Sequence, residues 1–257
     1  MLRHRIIPVL LLHEEGLVKT KQFKSPVYIG DPINVINIFN DKEVDELIFL
    51  DIDATKRNLP INFDLIEDIA SECFMPFAYG GGIKHIEDIE RLFYLGVEKV
   101  IINTSLKNKE LIKEAVRKFG SQSIVASIDV KRSSNGEYRV YSHKDRQMLN
   151  INIQKYLKEI EQMSVGEIFV NDVDNDGIMQ GYDIDLFEKI SSHIKIPIIA
   201  CGGAGNLNDL KKIIENSEVS AIGAGSIFVF YGIHNAVLIT YPKYEELKLL
   251  EKQIGRI

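Results

Sequence analysis

The chain has 257 residues, 45% of them apolar and 26% charged, an ordinary balance for a water-exposed globular protein long enough to bury one large core. The net charge of −6 argues against nucleic acid as the main partner. No apolar run approaches the roughly 20 residues a membrane-spanning helix needs.

The start, Met1-Leu2-Arg3-His4-Arg5, leads into a short apolar strand and then into His13-Glu14-Glu15, which is not the plan of a signal peptide. Cys73 and Cys201 sit in or beside apolar segments and form no motif; they read as reduced core residues, which points to a cytoplasmic protein. The six histidines show no ligand spacing, so neither a metal site, nor a histidine-based triad, nor any cofactor is expected.

In chain order, short β-rich runs fall at Ile6–Leu12, Glu46–Ile52, Phe77–Gly80, Val100–Asn103, Ile124–Asp129, Glu167–Asn171, Ile196–Ala200 and Ser220–Ala224. Helical periodicity lies between them, as at Asn62–Cys73, His85–Leu95, Lys109–Phe119 and Asp183–Ser192, and a last helix is expected at about 243–255. Asp31-Pro32 and Asn206-Leu207-Asn208-Asp209 carry helix-start signals. Eight strands alternating with helices predict a single (β/α)8 TIM barrel over residues 1–257, with an open doubly wound sheet as the alternative.

An internal repeat favours the barrel. Glu46-Leu47-Ile48-Phe49-Leu50-Asp51-Ile52-Asp53 parallels Glu167-Ile168-Phe169-Val170-Asn171-Asp172-Val173-Asp174 at an offset of 121 residues, and Gly81-Gly82 parallels Gly202-Gly203 at the same offset. Two half-barrels of about 1–120 and 121–240 follow, each with four strands.

The repeat also locates chemistry. Gly80-Gly81-Gly82 follows the third strand and Gly202-Gly203 the seventh; each is either a tight turn or a place where backbone N–H groups converge on an anion. The next loops, Asn103-Thr104-Ser105 and Ala224-Gly225-Ser226, add small polar groups and an expected helix start, whose positive end favours phosphate. Two such cradles on one rim fit a ligand with phosphate at both ends, or two phosphate-bearing parts of one ligand. Asp129, closing the fifth strand, places a carboxylate on that rim.

These residues resemble the cyclase subunit of imidazole glycerol phosphate synthase, the HisF family. The likeness rests on Gly30-Asp31-Pro32, Asp45-Glu46-Leu47, Gly80-Gly81-Gly82-Ile83, Ile102-Asn103-Thr104, Phe119-Gly120-Ser121-Gln122, Ile128-Asp129-Val130-Lys131-Arg132, Asp174-Asn175-Asp176-Gly177, Gly181-Tyr182-Asp183 and Gly202-Gly203-Ala204-Gly205. It implies a barrel that takes ammonia from a partner glutaminase and uses it on a bis-phosphorylated aminoimidazole carboxamide ribotide. It further implies phosphate roles for Gly82, Asn103, Thr104, Asp176, Gly177, Gly203, Gly225 and Ser226, and a mobile-loop role for Lys19. Arg5, Glu46, Lys99 and Glu167, each at the start of a strand, are implied to ring the bottom of the barrel as an ammonia gate, their charges cancelling.

The pattern breaks at the mouth. The family uses two aspartates across it, because two proton transfers need two titratable groups. Asp129 is one; the other position holds Leu11. Asp51, Asp53 or His13 could stand in, although the family has acids at the first two positions as well. Asn171-Asp172 replaces small hydroxyl residues, adding a charge near the substrate, and Ile178 removes a hydroxyl.

Pro8-Val9-Leu10-Leu11-Leu12, Gly16-Leu17-Val18-Lys19-Thr20, Asn40–Leu47, Ser71–Pro76 and Tyr231-Gly232-Ile233-His234 are similar to a divergent branch of the family found with surface-polysaccharide pathways, where an acetamidino group is placed on a sugar. That likeness implies ammonia delivery to amidine formation with a separate sugar amidotransferase. The alternatives are an authentic cyclase of histidine biosynthesis and a non-catalytic scaffold that activates a glutaminase and binds a phosphorylated effector.

Overall fold

The computed structural model describes residues 4–253, with side chains through Leu250. Met1, Leu2, Arg3 and the end of the expected last helix lie outside the described residues.

Eight parallel strands form the frame: β1 (Arg5–His13), β2 (Leu47–Asp51), β3 (Phe77–Gly80), β4 (Lys99–Ile102), β5 (Ile124–Arg132), β6 (Glu167–Asp172), β7 (Ile198–Cys201) and β8 (Ala221–Ala224). Each pairs in parallel with the next. β8 pairs back onto β1, Arg5 opposite Ala221, so the sheet closes and the open-sheet alternative is excluded. Helices α1 (Pro32–Asp41), α2 (Phe63–Glu72), α3 (Ile86–Tyr94), α4 (Lys109–Phe119), α5 (Ile153–Glu161), α6 (Ile184–Ser191) and α7 (Leu207–Asn216) cover the outside, and α8 (Tyr244–Gln253) follows β8.

The apolar residues divide between two cores because successive strand side chains face opposite ways. The larger core lies between sheet and helices and includes Leu10, Phe49, Ile69, Leu92, Ile112 and Phe187. The smaller fills the barrel: Ile7, Val9, Ile48, Ala78, Ile101, Val125, Phe169, Ile199, Cys201 and Ala221, with Leu11 and Leu50 at its upper edge.

The helix starts follow their local chemistry. Asp31 accepts from the Asn34 amide at 3.0 Å with Pro32 in the first turn. Asn206 accepts from the amides of Asn208 and Asp209, while Asp209 accepts from the Asn206 amide at 3.1 Å. Of the two cysteines, Cys201 is buried and Cys73 is partly exposed; both are free thiols.

The repeat is geometric as well as textual. Asp51 Oδ1 accepts from the amides of Asp53 and Ala54, both at 2.8 Å; its counterpart Asp172 Oδ1 accepts from the Asp174 amide at 3.1 Å. Gly81 and Gly202 have positive φ (129° and 104°). A Cβ on either would lie within 2.7 Å of the carbonyl oxygen of Asp51 or Asp172 respectively.

Two connections differ from the expected loops. Residues after β1 form an antiparallel hairpin, Gly16–Lys21 with Lys24–Gly30, whose first strand pairs with β1 through Leu11 and Val18. Residues after β5 form a second, Tyr138–Ser142 with Gln147–Asn152, paired to β5 with Asp129 opposite Tyr141. Both extend the sheet beyond the C-terminal rim, where the cavity opens.

Candidate functional site

A cavity of about 480 Å³ lies at the C-terminal ends of the strands. That size suits a small organic ligand. Leu11, Lys19, Gly82, Asn103, Thr104, Asp129, Asp176, Gly177, Gly203, Gly225 and Ser226 all line it, so the expected phosphate, carboxylate and loop residues share one space. Leu11 faces it beside Leu50, and the two form an aliphatic patch.

The two glycine cradles differ. At the first, Gly82 has φ of 70° and its missing side chain leaves room beside Ala54. The Asn103 amide group is turned to Asp129, donating at 3.1 Å, and also to Ser127 Oγ at 3.3 Å. At the second, Gly203 has φ of 117° and a Cβ there would meet the Gly181 carbonyl oxygen at 2.1 Å. The helix start expected in each following loop is a short 3-10 turn: Thr104–Lys107 at the first, Ser226–Phe228 at the second.

Lys19 is no surface lysine. It is buried, its Nζ donates to the Val9 carbonyl, and a Cβ on Gly225 would touch that nitrogen at 2.0 Å. Burial lowers its pKa to about 8, against the opposing pull of Asp176. The hairpin carrying Lys19 is tied down by Asp176, whose carboxylate accepts from Thr20 Oγ1 at 3.1 Å and the Phe23 amide at 3.4 Å. Burial raises the Asp176 pKa, and Lys19, Phe23 and Thr20 oppose that rise. Gly177, with φ of 69°, lets this loop pass the Thr20 carbonyl, which a Cβ would meet at 2.1 Å.

The groups considered as stand-ins for an acid at Leu11 have partners of their own. His13 turns to Asp53 at 2.8 Å and does not line the cavity. Asp51 reaches the cavity edge, but its Oδ1 caps the turn that follows β2. Asp172 does not add the expected charge near the substrate: it is buried away from the cavity and accepts from the Asn175 amide group at 2.6 Å. Burial raises its pKa to about 6.

One mouth residue, His143, escapes the sequence reading, and Asn171, already singled out there, joins it. His143, from the hairpin after β5, places Nδ1 3.0 Å from Asp129 Oδ2. Asn171 stands beside Asp129 in the strand register, and its buried Oδ1 has no hydrogen-bond partner among the described residues. One signal could have located His143. Asn135-Gly136 after β5 is a strong hairpin marker, and a hairpin there returns the chain past Asp129.

At the opposite end of the barrel, Arg5, Glu46, Lys99 and Glu167 meet. Arg5 Nη1 is 2.5 Å from Glu46 Oε2, and Nη2 pairs with Glu167 Oε1. Lys99 Nζ is 2.9 Å from Glu46 Oε1 and 3.0 Å from Glu167 Oε2. Each cation bridges both anions, so the four form a closed alternating ring. Burial works against the Arg5 charge, but the two glutamates outweigh it and hold its pKa above the ordinary value. Between ring and mouth stands the apolar core of the barrel. No group of three or more metal-ligating side chains occurs among the described residues, and no described helix is long and apolar enough to cross a membrane.

Comparison with known proteins places this architecture. Residues 5–234 match the family model described as "Histidine biosynthesis protein". A Pseudomonas aeruginosa protein provisionally named imidazole glycerol phosphate synthase subunit hisF2 is 51% identical over 248 residues, 96% of this chain and 99% of that one. A Leptospira borgpetersenii protein, provisionally named as subunit HisF of the same synthase, is 46% identical over 244 residues, 94% of this chain and 96% of its own. Imidazole glycerol phosphate synthase subunit HisF of Streptococcus mutans is 36% identical over 229 residues, 89% of this chain and 91% of its own. The closed barrel, the paired glycine loops and these matches together show that the chain belongs to the histidine biosynthesis protein family, as a HisF-like subunit of the imidazole glycerol phosphate synthase type.

Proposed function

We propose that this chain is the ammonia-using subunit of a glutamine-dependent amidotransferase, supplied by a separate glutaminase and serving amidine formation on a surface-polysaccharide sugar. The observation that carries the reading is an asymmetry. The charged ring at the N-terminal end of the barrel is complete, whereas Leu11 lines the mouth at the position where the family resemblance implies a second acid.

The ring suits ammonia. Four charges that satisfy one another can part briefly for a small polar molecule, and the apolar core above admits neutral ammonia far more readily than ammonium. The same face carries Phe74 and Tyr94, 83% and 88% exposed, just past the C-terminal end of α2 and at that of α3. Those ends flank the start of β3, close to the ring, and exposed aromatics of this kind anchor protein partners. At the mouth, Gly82 with Thr104 and Gly203 with Gly225 and Ser226 would hold phosphate. Lys19 supplies positive charge at the second cradle, and Asp176 with Gly177 holds the Lys19 hairpin in place.

The test is reconstitution. The barrel is co-purified with its glutaminase and combined with the sugar amidotransferase, glutamine and an acetamido-bearing sugar nucleotide. Amidine should form only when the barrel is present; equal product without it ends the proposal. The two-cradle cavity and the retained Asp129 favour a second reading, an authentic cyclase. Ammonia-dependent turnover of the bis-phosphorylated aminoimidazole carboxamide ribotide at an ordinary cyclase rate would establish that one instead.

A further inference from the structure

We propose that His143 and Asp129 form an acid–base dyad that makes the barrel mouth a catalytic site rather than an outlet for ammonia. The dyad rests on the ammonia-supply reading above and assigns its proton chemistry.

The geometry is that of an oriented imidazole. Asp129 Oδ2 receives His143 Nδ1 at 3.0 Å and the Asn103 amide at 3.1 Å, so the carboxylate is fixed from two sides and the ring is fixed by the carboxylate. With Nδ1 held as the donor, Nε2 is the nitrogen left for a ligand. It has no hydrogen-bond partner among the described residues, and His143 lines the cavity. Asn171, next to Asp129 in the register, brings an unpartnered buried Oδ1 to the same wall of the cavity. A buried polar atom without a partner is costly unless a ligand group satisfies it. The opposite wall carries Leu11 and Leu50. The titratable group absent from the first strand is thus replaced by one from the hairpin after the fifth, on the same side as Asp129.

The chemistry balances without a further reagent. The ammonia lone pair attacks an sp² carbon of a phosphorylated ligand, a C–N bond forms, and the C=O or C=N π pair moves to its heteroatom. Nε2 takes one proton from the new ammonium nitrogen, and Asp129 steadies the imidazolium. Nε2 then returns that proton to the heteroatom, which gives the neutral tetrahedral adduct. The charged groups around His143 are Asp129 on β5 and Asp145 and Arg146 on its own hairpin, with Asp176 and Lys19 facing Asp129 across the mouth. Burial opposes charge on the imidazole, but the hydrogen bond and charge of Asp129, with Asp145, prevail and hold its pKa above the ordinary histidine value.

The decisive experiment uses the reconstituted system with ammonium chloride in place of glutamine, since direct ammonia bypasses an outlet but not a catalyst. His143→Gln should lower kcat by roughly 100-fold or more with little change in the KM for ammonia, and added imidazole should restore part of the rate. In the native barrel the rate should climb as His143 loses its proton; Asp129→Asn should move that limb to lower pH. Titration of His143 by NMR in the ligand-free barrel, before and after Asp129→Asn, gives a reading that needs no substrate. A His143→Gln rate equal to wild type, or a His143 pKa indifferent to Asp129→Asn, overturns the dyad and leaves the ammonia-supply reading standing. Amidine formation that never requires the barrel overturns both.

Discussion

Lys99→Met removes one corner of the charged ring. In the native ring two cations face two anions; the substitution leaves Arg5 alone against Glu46 and Glu167, a net charge of −1 in the ring. Lys99 contributes contacts at 2.9 and 3.0 Å to side chains that are 5% and 13% exposed, so both glutamates lose a partner they cannot replace fully with water. Removing one partner of a buried ion pair costs about 3–5 kcal/mol. Arg5 still bridges both glutamates and Lys99 itself is 19% exposed, which brings the expectation to roughly 2–4 kcal/mol. Chemical denaturation measures it. Adding Glu46→Gln returns the ring to neutrality and should recover at least half the loss. In the reconstituted system glutamine-dependent amidine formation should fall well below the rate supported by added ammonium chloride. A Lys99→Met barrel of unchanged stability that uses glutamine as well as the native one refutes the ring as both a structural unit and an entry.

Other substitutions probe separate links. Gly203→Ala places a Cβ 2.1 Å from the Gly181 carbonyl oxygen at φ of 117°; it should cost about 1–3 kcal/mol and weaken inorganic phosphate binding, measured by calorimetry, at least tenfold. Phe74→Ala and Tyr94→Ala should each weaken glutaminase binding by about 1–2 kcal/mol, read by surface plasmon resonance, without altering thermal stability. Asp172 has a folded pKa of about 6 against an ordinary 3.8, so the folded state holds its proton more tightly. The resulting stability is fully present below the ordinary value and is lost as pH rises through the folded one. Asp172→Asn should therefore flatten the pH dependence of unfolding between about 4 and 6, by on the order of 1–3 kcal/mol.

The barrel was legible because its evidence is periodic and duplicated. β-rich runs recur, and the glycines whose missing Cβ atoms let them pass Asp51 and Asp172 appear twice at one spacing. The ring was legible only through family likeness, since Arg5, Glu46, Lys99 and Glu167 are scattered in sequence and meet through barrel closure. The two rim hairpins were missed for a physical reason. Lys24–Gly30 and Gln147–Asn152 are largely exposed, so they lack the apolar alternation that marks a half-buried strand. That omission hid His143, whose place beside Asp129 depends on the hairpin register. It also left unseen that the first hairpin folds Lys19 into the mouth.

The account turns on ammonia entering through the ring and reaching the mouth without escaping. Its most direct test is isotope dilution in the reconstituted complex, with glutamine labelled by ¹⁵N at the amide and excess unlabelled ammonium in the buffer. The account predicts amidine that carries the glutamine label almost undiluted in the native barrel and strongly diluted label in Lys99→Met. Product whose nitrogen matches the buffer ammonium in the native complex would contradict it.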